Sequence, residues 1–418
     1  MIIQFRVSNF RSIFQTQTLN FRATSLISEK KEVDYSNIST DGQNRILKGL
    51  GIYGANASGK SNVIKAIKFF KNMVASSLTD ERIASYGASP FRLSSESLGH
   101  FGYFEISILL NSKKYRYGFT LTKDANIDAE WLYGPAEKNE TFYFTRRRNV
   151  FEINPLWFQE ADDLPKEKVR GNALFLSFCA SYDGTVSTQL RNYFTDRIIV
   201  DLYSEPIILG NSLGKNRELT DNLIEKGKKE VVLTWLKEVG IGFTNVSLKK
   251  LEISGKLYGN FVTFDKNIYD NKGHVVGSTT TDLDNDESDG TQKFYSYIGT
   301  LYKIFEEGGV FVADEIDSKF HPSLLRKLIL NFNNSSINRG NAQILFTSHD
   351  TNLMNPDIMR RDQFYFTEKS VLEETILFSL SDLKGIRNNA DFAKQYLAGL
   401  YGALPILGNY LEENNFQQ

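Results

Sequence analysis

Residues 51–63 read GIYGANASGKSNV, behind an apolar run at 46–53 and ahead of an apolar-periodic stretch at 63–70. Gly54 and Gly59 flank four residues and Lys60-Ser61 follow directly, which is the spacing of a phosphate-binding loop between a strand and a helix. Glycines let the backbone curl so that successive N–H groups face one phosphate. The helix start at 58–61 adds its positive dipole end. The nucleotide-binding set is therefore Gly54, Ala55, Asn56, Ala57, Ser58, Gly59, Lys60, Ser61 and Asn62. Lys60 can reach the outer phosphates as a point charge, and the Ser61 hydroxyl can sit on Mg²⁺. A glycine-rich turn that binds nothing is the alternative, but here strand, motif and helix coincide.

Bulk properties narrow the class. A chain of 418 residues has room for two or three folding units and a large core. Its 49 basic and 50 acidic residues nearly cancel, so no globally basic nucleic-acid binder is indicated. Cys179, the one cysteine, lies in ALFLSFCAS and reads as a core residue; no disulfide framework exists. The start, MIIQFRVSNFRSIF, alternates and carries charge, unlike a signal peptide. No stretch approaches the run of about 20 apolar residues that a membrane span needs. A soluble, cytoplasmic protein is expected.

The chain opens with strand-like runs (IIQFRVSNF, TQTLNF, ILKGLGIY), followed by a helix at 61–77 and a polar linker at 76–99. FGYFEISILL, KKYRYGFTLT, AEWLYG and TFYFTRRRNVFEI then alternate, with turns at Asn111-Ser112 and 123–126, so an antiparallel meander is expected. Residues 186–242 take helical spacing, and a second β patch follows (SLKKLEIS, NFVTFD, HVVGSTT). After Glu287 the pattern is helix, strand, helix, strand. Neither repeats nor sustained heptads occur.

Downstream segments complete a nucleotide site. In GGVFVADEIDSKFHP (308–322) an apolar strand ends in Asp314, placed to hold the Mg²⁺ shell. Glu315, the next residue, is the natural general base for an attacking water. QILFTSHDTNLM (343–354) ends a further strand in Ser348-His349-Asp350, where His349 can sense a γ-phosphate. In ESDGTQKFYSYIGTLYKIFEE (287–307), Ser288 and Gly290 stand at a helix N-terminus with a hydroxyl and N–H groups facing outward. An ordinary N-cap is the bland explanation of that segment. DLDND (282–286) fails as a calcium loop, because Glu287 replaces the required glycine and Lys293 the bidentate glutamate.

Together these motifs resemble the ABC-class ATPases related to overcoming-lysogenization-defect proteins, RecF and SMC heads, and within them the RloA- and AbiL-type ATPases of bacterial phage defence. IIQFRVSNFRSI, GANASGKSN, PFRL (90–93), ESDGTQK, GGVFVADEIDSKFHP, TSHD, RRDQFYF and YLAGLYGALP carry the likeness. It implies an α/β ABC-type head, a mixed sheet plus an antiparallel β subdomain, with no long coiled coil. The division it implies is an ATPase lobe at 1–180 and an inserted lobe at 181–286. The signature, Walker B and switch-histidine part spans 287–378, and a C-terminal segment spans 379–418. It further implies ATP and Mg²⁺ as cofactors, ATP hydrolysis, and homodimers or larger homo-oligomers built on nucleotide sandwiches. A separately encoded effector, of TOPRIM-nuclease type, is the implied partner. The residues carried over are 54–61 for the phosphate loop, Ser288 and Gly290 for the signature, Asp314 and Glu315 for Walker B, His349 for the switch and Asp317 for the interface loop. Gln189 is the candidate for the glutamine loop. The signature departs from the transporter pattern LSGGQ at Glu287 and Asp289, against a membrane transporter, and Leu400 stands where arginine is expected.

Two other functions stay open on the sequence. One is a RecF/Rad50-like DNA-repair clamp, with nucleic acid as partner and Arg146-Arg147-Arg148 as phosphate contacts. A solvated hairpin edge explains that triplet as well. The other is a scaffold that binds ATP and turns it over poorly.

Overall fold

The computed structural model describes residues 1–87, 89–136, 139–202, 213–253 and 256–404. They form α/β structure in two compact units, one made of residues 2–195 with 345 onward, the other of 196–344.

In the first unit the alternating runs become a seven-stranded antiparallel sheet. In spatial order its strands are Val150–Ile153, Glu140–Arg147, Ile127–Pro135, Lys113–Leu121, Gly102–Leu110, Ile2–Ser8 and Gln17–Asn20. Asn111 and Ser112 both take positive φ (51° and 59°), the turn whose twist matches a two-residue hairpin. Helix Lys60–Ser76 buries Val63, Ile64, Ile67, Phe70, Met73 and Val74. Phe70 stacks on Phe119 at 5.7 Å and Phe69 lies 4.9 Å from Phe104, so the helix is held against the sheet. Each such ring contributes about 2 kcal/mol through burial. The helix start, and with it the glycine loop, is thereby fixed. Strand Gly49–Gly54, buried at all six positions, pairs in parallel with Phe364–Lys369, which pairs antiparallel with Thr375–Ser379.

The arginine triplet is solvated only in part: the Arg147 and Arg148 side chains are exposed, and Arg146 is not. Its strand, Glu140–Arg147, is interior, and Val150–Ile153 forms the edge. Arg146 is fully buried, 3.4 Å from Glu130, and donates to the carbonyls of Ala173 (2.6 Å) and Arg148 (2.7 Å). Glu130 also accepts from Tyr117 Oη and from the N–H groups of Phe175 and Leu176, where helix Phe175–Ser181 begins. Burial pushes the Glu130 carboxyl up, against the pull of Arg146 and these donors. Removing one partner of such a pair strands the other. Glu130→Ala should therefore cost about 3–5 kcal/mol in denaturant unfolding. Arg147→Ala, at an 81% exposed side chain, should change stability by about 0.5 kcal/mol or less. Equal effects would contradict the hub.

The second unit holds a parallel pair, Ile198–Asp201 with Val310–Ala313. This corrects the helical expectation for 186–242: helices Thr185–Asn192, Leu213–Glu225 and Lys229–Glu238 are present, but a four-residue strand interrupts them. The second β patch is a three-stranded antiparallel sheet, Asn245–Ile253, Lys256–Tyr269 and Val275–Asp282. Helix Asp289–Glu307, at 19 residues, crosses Leu213–Glu225 so closely that a Cβ at Gly299 would collide with the Leu219 backbone. Thr220 Oγ1 closes the crossing, accepting from Gly299 N and donating to Tyr295 O. No helix among the described residues is long enough for a coiled-coil arm.

Candidate functional site

The glycine loop needs its glycines for two separate reasons. Gly54 and Gly59 take φ of 150° and 111°, a region side chains avoid. A Cβ at Gly54 would strike the Thr367 carbonyl oxygen, and one at Gly59 the Thr375 hydroxyl. Ala57 also has positive φ (61°). The buried Lys60 ammonium lies inside the curl, donating to Gly54 O (2.8 Å) and Ala55 O (2.9 Å). A hydroxyl relay pins the loop from outside. Asn62 Nδ2 meets Ser12 Oγ at 2.6 Å, Ser12 Oγ meets Thr375 Oγ1 at 2.7 Å, and Thr375 donates to Ser58 O at 2.9 Å. Ser58 Oγ bonds Thr367 Oγ1 at 2.6 Å. Thr367 and Thr375 are positioning residues that sequence reasoning missed. They stand more than 300 positions from the loop, and no spacing rule connects them.

His349 follows strand Gln343–Thr347, and the next-door Ser348 N–H donates to Ile52 O in the strand that feeds the loop. His349 itself is exposed. Asp350 caps the following turn through Asn352 N (2.9 Å). Gln189 sits exposed on helix Thr185–Asn192.

In the second unit, segments 287–293 and 314–320 come together. Asp314 is buried and its N–H donates to Asp201 O (2.9 Å). Glu315, half-buried, takes the left-handed conformation (φ 50°), rare for a glutamate and of the kind that clusters at functional sites. Ser288 caps helix Asp289–Glu307, accepting from Thr291 N at 3.3 Å, and is exposed. Gly290 has no room for a side chain, since a Cβ would lie 2.8 Å from Lys319 O. Asp289 pairs with Lys319 (2.9 Å), and Lys293 donates to Ser318 O (2.9 Å). Burial pushes the Lys293 ammonium down, against the opposing pull of Asp201 first and then Asp317. Glu287 is held by Lys266 (2.6 Å) and Thr281 (2.7 Å). The 282–286 cluster is a closed turn: Asp282 accepts from the N–H groups of Asp284 and Asn285, and Asp286 from Asp282 N. Among the described residues no group of three or more His, Cys, Asp or Glu is arranged to hold a metal.

The donor types suit Mg-ATP. A cradle lined by backbone N–H and a lysine fits a polyphosphate, and Mg²⁺ takes few protein oxygens, keeping several waters. A strand, a glycine loop closed on its lysine and a following helix define a phosphate-loop α/β domain. The family model described as AAA domain, putative AbiEii toxin, Type IV TA system, matches residues 50–177 and 221–355. That is more than half of the chain, and the chain belongs to this family.

Solved structures of similar fold include the SMC head domain from Thermotoga maritima, with 12% identity and TM-score 0.42 over 90% of this chain and 98% of that one. Another is the SmcHead bound to the C-winged helix domain of ScpA, at 13% and 0.47, covering 92% and 99%. A third, the Smc head domain with a coiled coil and joint derived from Pyrococcus yayanosii, stands at 9% and 0.46, covering 96% and 99%. No curated protein matches the chain significantly. No helix among the described residues is long and apolar enough to cross a membrane.

Proposed function

We propose that this protein binds and hydrolyses Mg-ATP as an ABC-type switch of a bacterial antiphage system and controls a separately encoded effector of nuclease type. The observation that carries the ATPase part is the loop cradle, with two glycines that admit no side chain and the Lys60 ammonium folded inside. In this reading the 54–62 backbone and Lys60 hold the phosphates, while Ser61 and Asp314 face the cation. Mg²⁺, when bound, neutralises charge on the outer phosphate oxygens. Glu315 takes the proton of the attacking water, and His349 contacts the transferring phosphoryl group. Ser288 and Gly290 offer N–H groups and a hydroxyl to a nucleotide held by a second copy, so a homodimer or larger homo-oligomer forms. The defence role is supported by the family's own description as a putative toxin of a toxin–antitoxin system.

The DNA-clamp alternative loses support at its basic triplet. Arg146 is buried, and Arg148 sits 3.2 Å from Asp128, with Arg147 at the edge of pairing distance (4.0 Å). Phosphate release by the purified protein tests the enzyme reading. Slow turnover that EDTA abolishes is expected. Absence of ATP binding at millimolar concentration would refute it. Co-expression with the product of the neighbouring gene, weighed with and without ATP, tests the partner.

A further inference from the structure

Strand Ile198–Asp201 ends in a carboxylate that the ATPase reading does not use. Asp201 is 5% exposed and does two things at once. Its carbonyl accepts the Asp314 N–H at 2.9 Å, and its Oδ2 accepts the Tyr297 hydroxyl at 2.5 Å. Tyr297 is fully buried on the helix that Ser288 caps. Its ring lies edge-on to Phe311, 4.9 Å away in the strand before Asp314, and to Phe320, 5.7 Å away in the segment after Glu315. The tyrosine is thus wedged between the two flanks of the acidic strand end, with its hydroxyl fixed on the strand beside it.

We propose that Asp201 and Tyr297 are a positioning pair, through which the helix starting at Ser288 sets the placement of Asp314 and Glu315. The physics is serial. A buried hydroxyl on a carboxylate is a short, charge-assisted bond, stronger than a neutral one. A packed ring cannot slide without disturbing Phe311 and Phe320, since interiors tolerate little free volume. Any displacement of the helix start that reaches Tyr297 therefore reaches the Asp201 backbone, and from there the Asp314 amide. A general base misplaced by about 1 Å loses much of its effect.

The inference rests on the ATPase reading, and the full chain tests it with three variants. Tyr297→Phe should lower kcat about tenfold with KM for ATP within about twofold, because a bond to a charged group is lost while the phosphate loop is untouched. Asp201→Asn, which keeps an acceptor for the hydroxyl, should retain kcat within about threefold. Asp201→Leu combined with Tyr297→Phe removes both ends of the bond at once, and its unfolding midpoint, set against that of Tyr297→Phe, reads the structural cost separately. Its kcat should stay low, because the link is still missing. In a purely structural pair turnover would follow that midpoint. Wild-type kcat in Tyr297→Phe, or in the double variant, overturns the positioning role alone. A wild-type protein that neither binds nor hydrolyses ATP overturns the ATPase reading and this one with it.

Discussion

Glu315→Gln should bind ATP as tightly as the parent and hydrolyse it 10²–10⁴-fold more slowly, roughly the range a general base contributes. Glutamine matches glutamate in size, so the left-handed turn at φ 50° and the buried Ile316 behind it have no steric reason to change. What disappears is proton acceptance. The backbone supplies a second arm. A non-glycine residue in that conformation costs about 1 kcal/mol, so Glu315→Gly should raise stability by up to that amount while losing turnover equally. Strain kept at a position where glycine is cheaper is expected where the side chain matters. Single-turnover phosphate release with a fluorescent-nucleotide titration separates binding from chemistry. Normal hydrolysis by Glu315→Gln would remove Glu315 from the mechanism, and a Glu315→Gly protein less stable than the parent would remove the strain argument.

Local signals were legible and serial contacts were not. The loop spacing at Gly54–Gly59 and the alternation at 102–153 both report structure formed within a few dozen residues, and both appear where the sequence puts them. The strand Ile198–Asp201 was missed because four residues are too few for periodicity to outweigh helical flanks. A signal did exist: IIVD repeats the apolar-run-then-aspartate pattern of VFVAD at 310–314, and the two strands pair in register. Arg146 was misjudged because a triplet of arginines looks solvated. Only tertiary structure supplies Glu130 and the carbonyls of Ala173 and Arg170 for one of them. Gly290 illustrates the reverse case. Its need for glycine comes from Lys319 O, a contact that no helix-capping rule anticipates.

Ser288→Arg and Lys60→Ala should each be nearly inactive alone and regain activity when mixed. In the proposed function the phosphate loop would surround a nucleotide from one side, through 54–62 and Lys60, and Lys60→Ala removes the cation inside its curl. Ser288 lies on a different helix start, exposed, with Asp289 held by Lys319 and Gly290 seated on the Lys319 carbonyl. A rigid, exposed helix N-terminus is suited to a nucleotide carried by another copy. ATP would then favour the paired state, because it binds that state better than the single one. Two such sites would then form across one two-fold interface. Arginine at 288 adds bulk and removes a helix cap, at about 1 kcal/mol of stability, which a thermal melt can check independently. It should leave single-site ATP binding intact and block closure. In a mixed dimer one intact loop meets one intact signature, and the other site is doubly defective. At a one-to-one ratio half of the dimers are mixed, each with one working site, so turnover should reach about a quarter of the wild-type rate if pairing is random. Rates are measured against mixing ratio at fixed total protein, with mixed dimers verified by tagged pull-down. A rate that stays at the parental level at every ratio, with mixed dimers present, would show that each copy works alone and that Ser288 is only a helix cap.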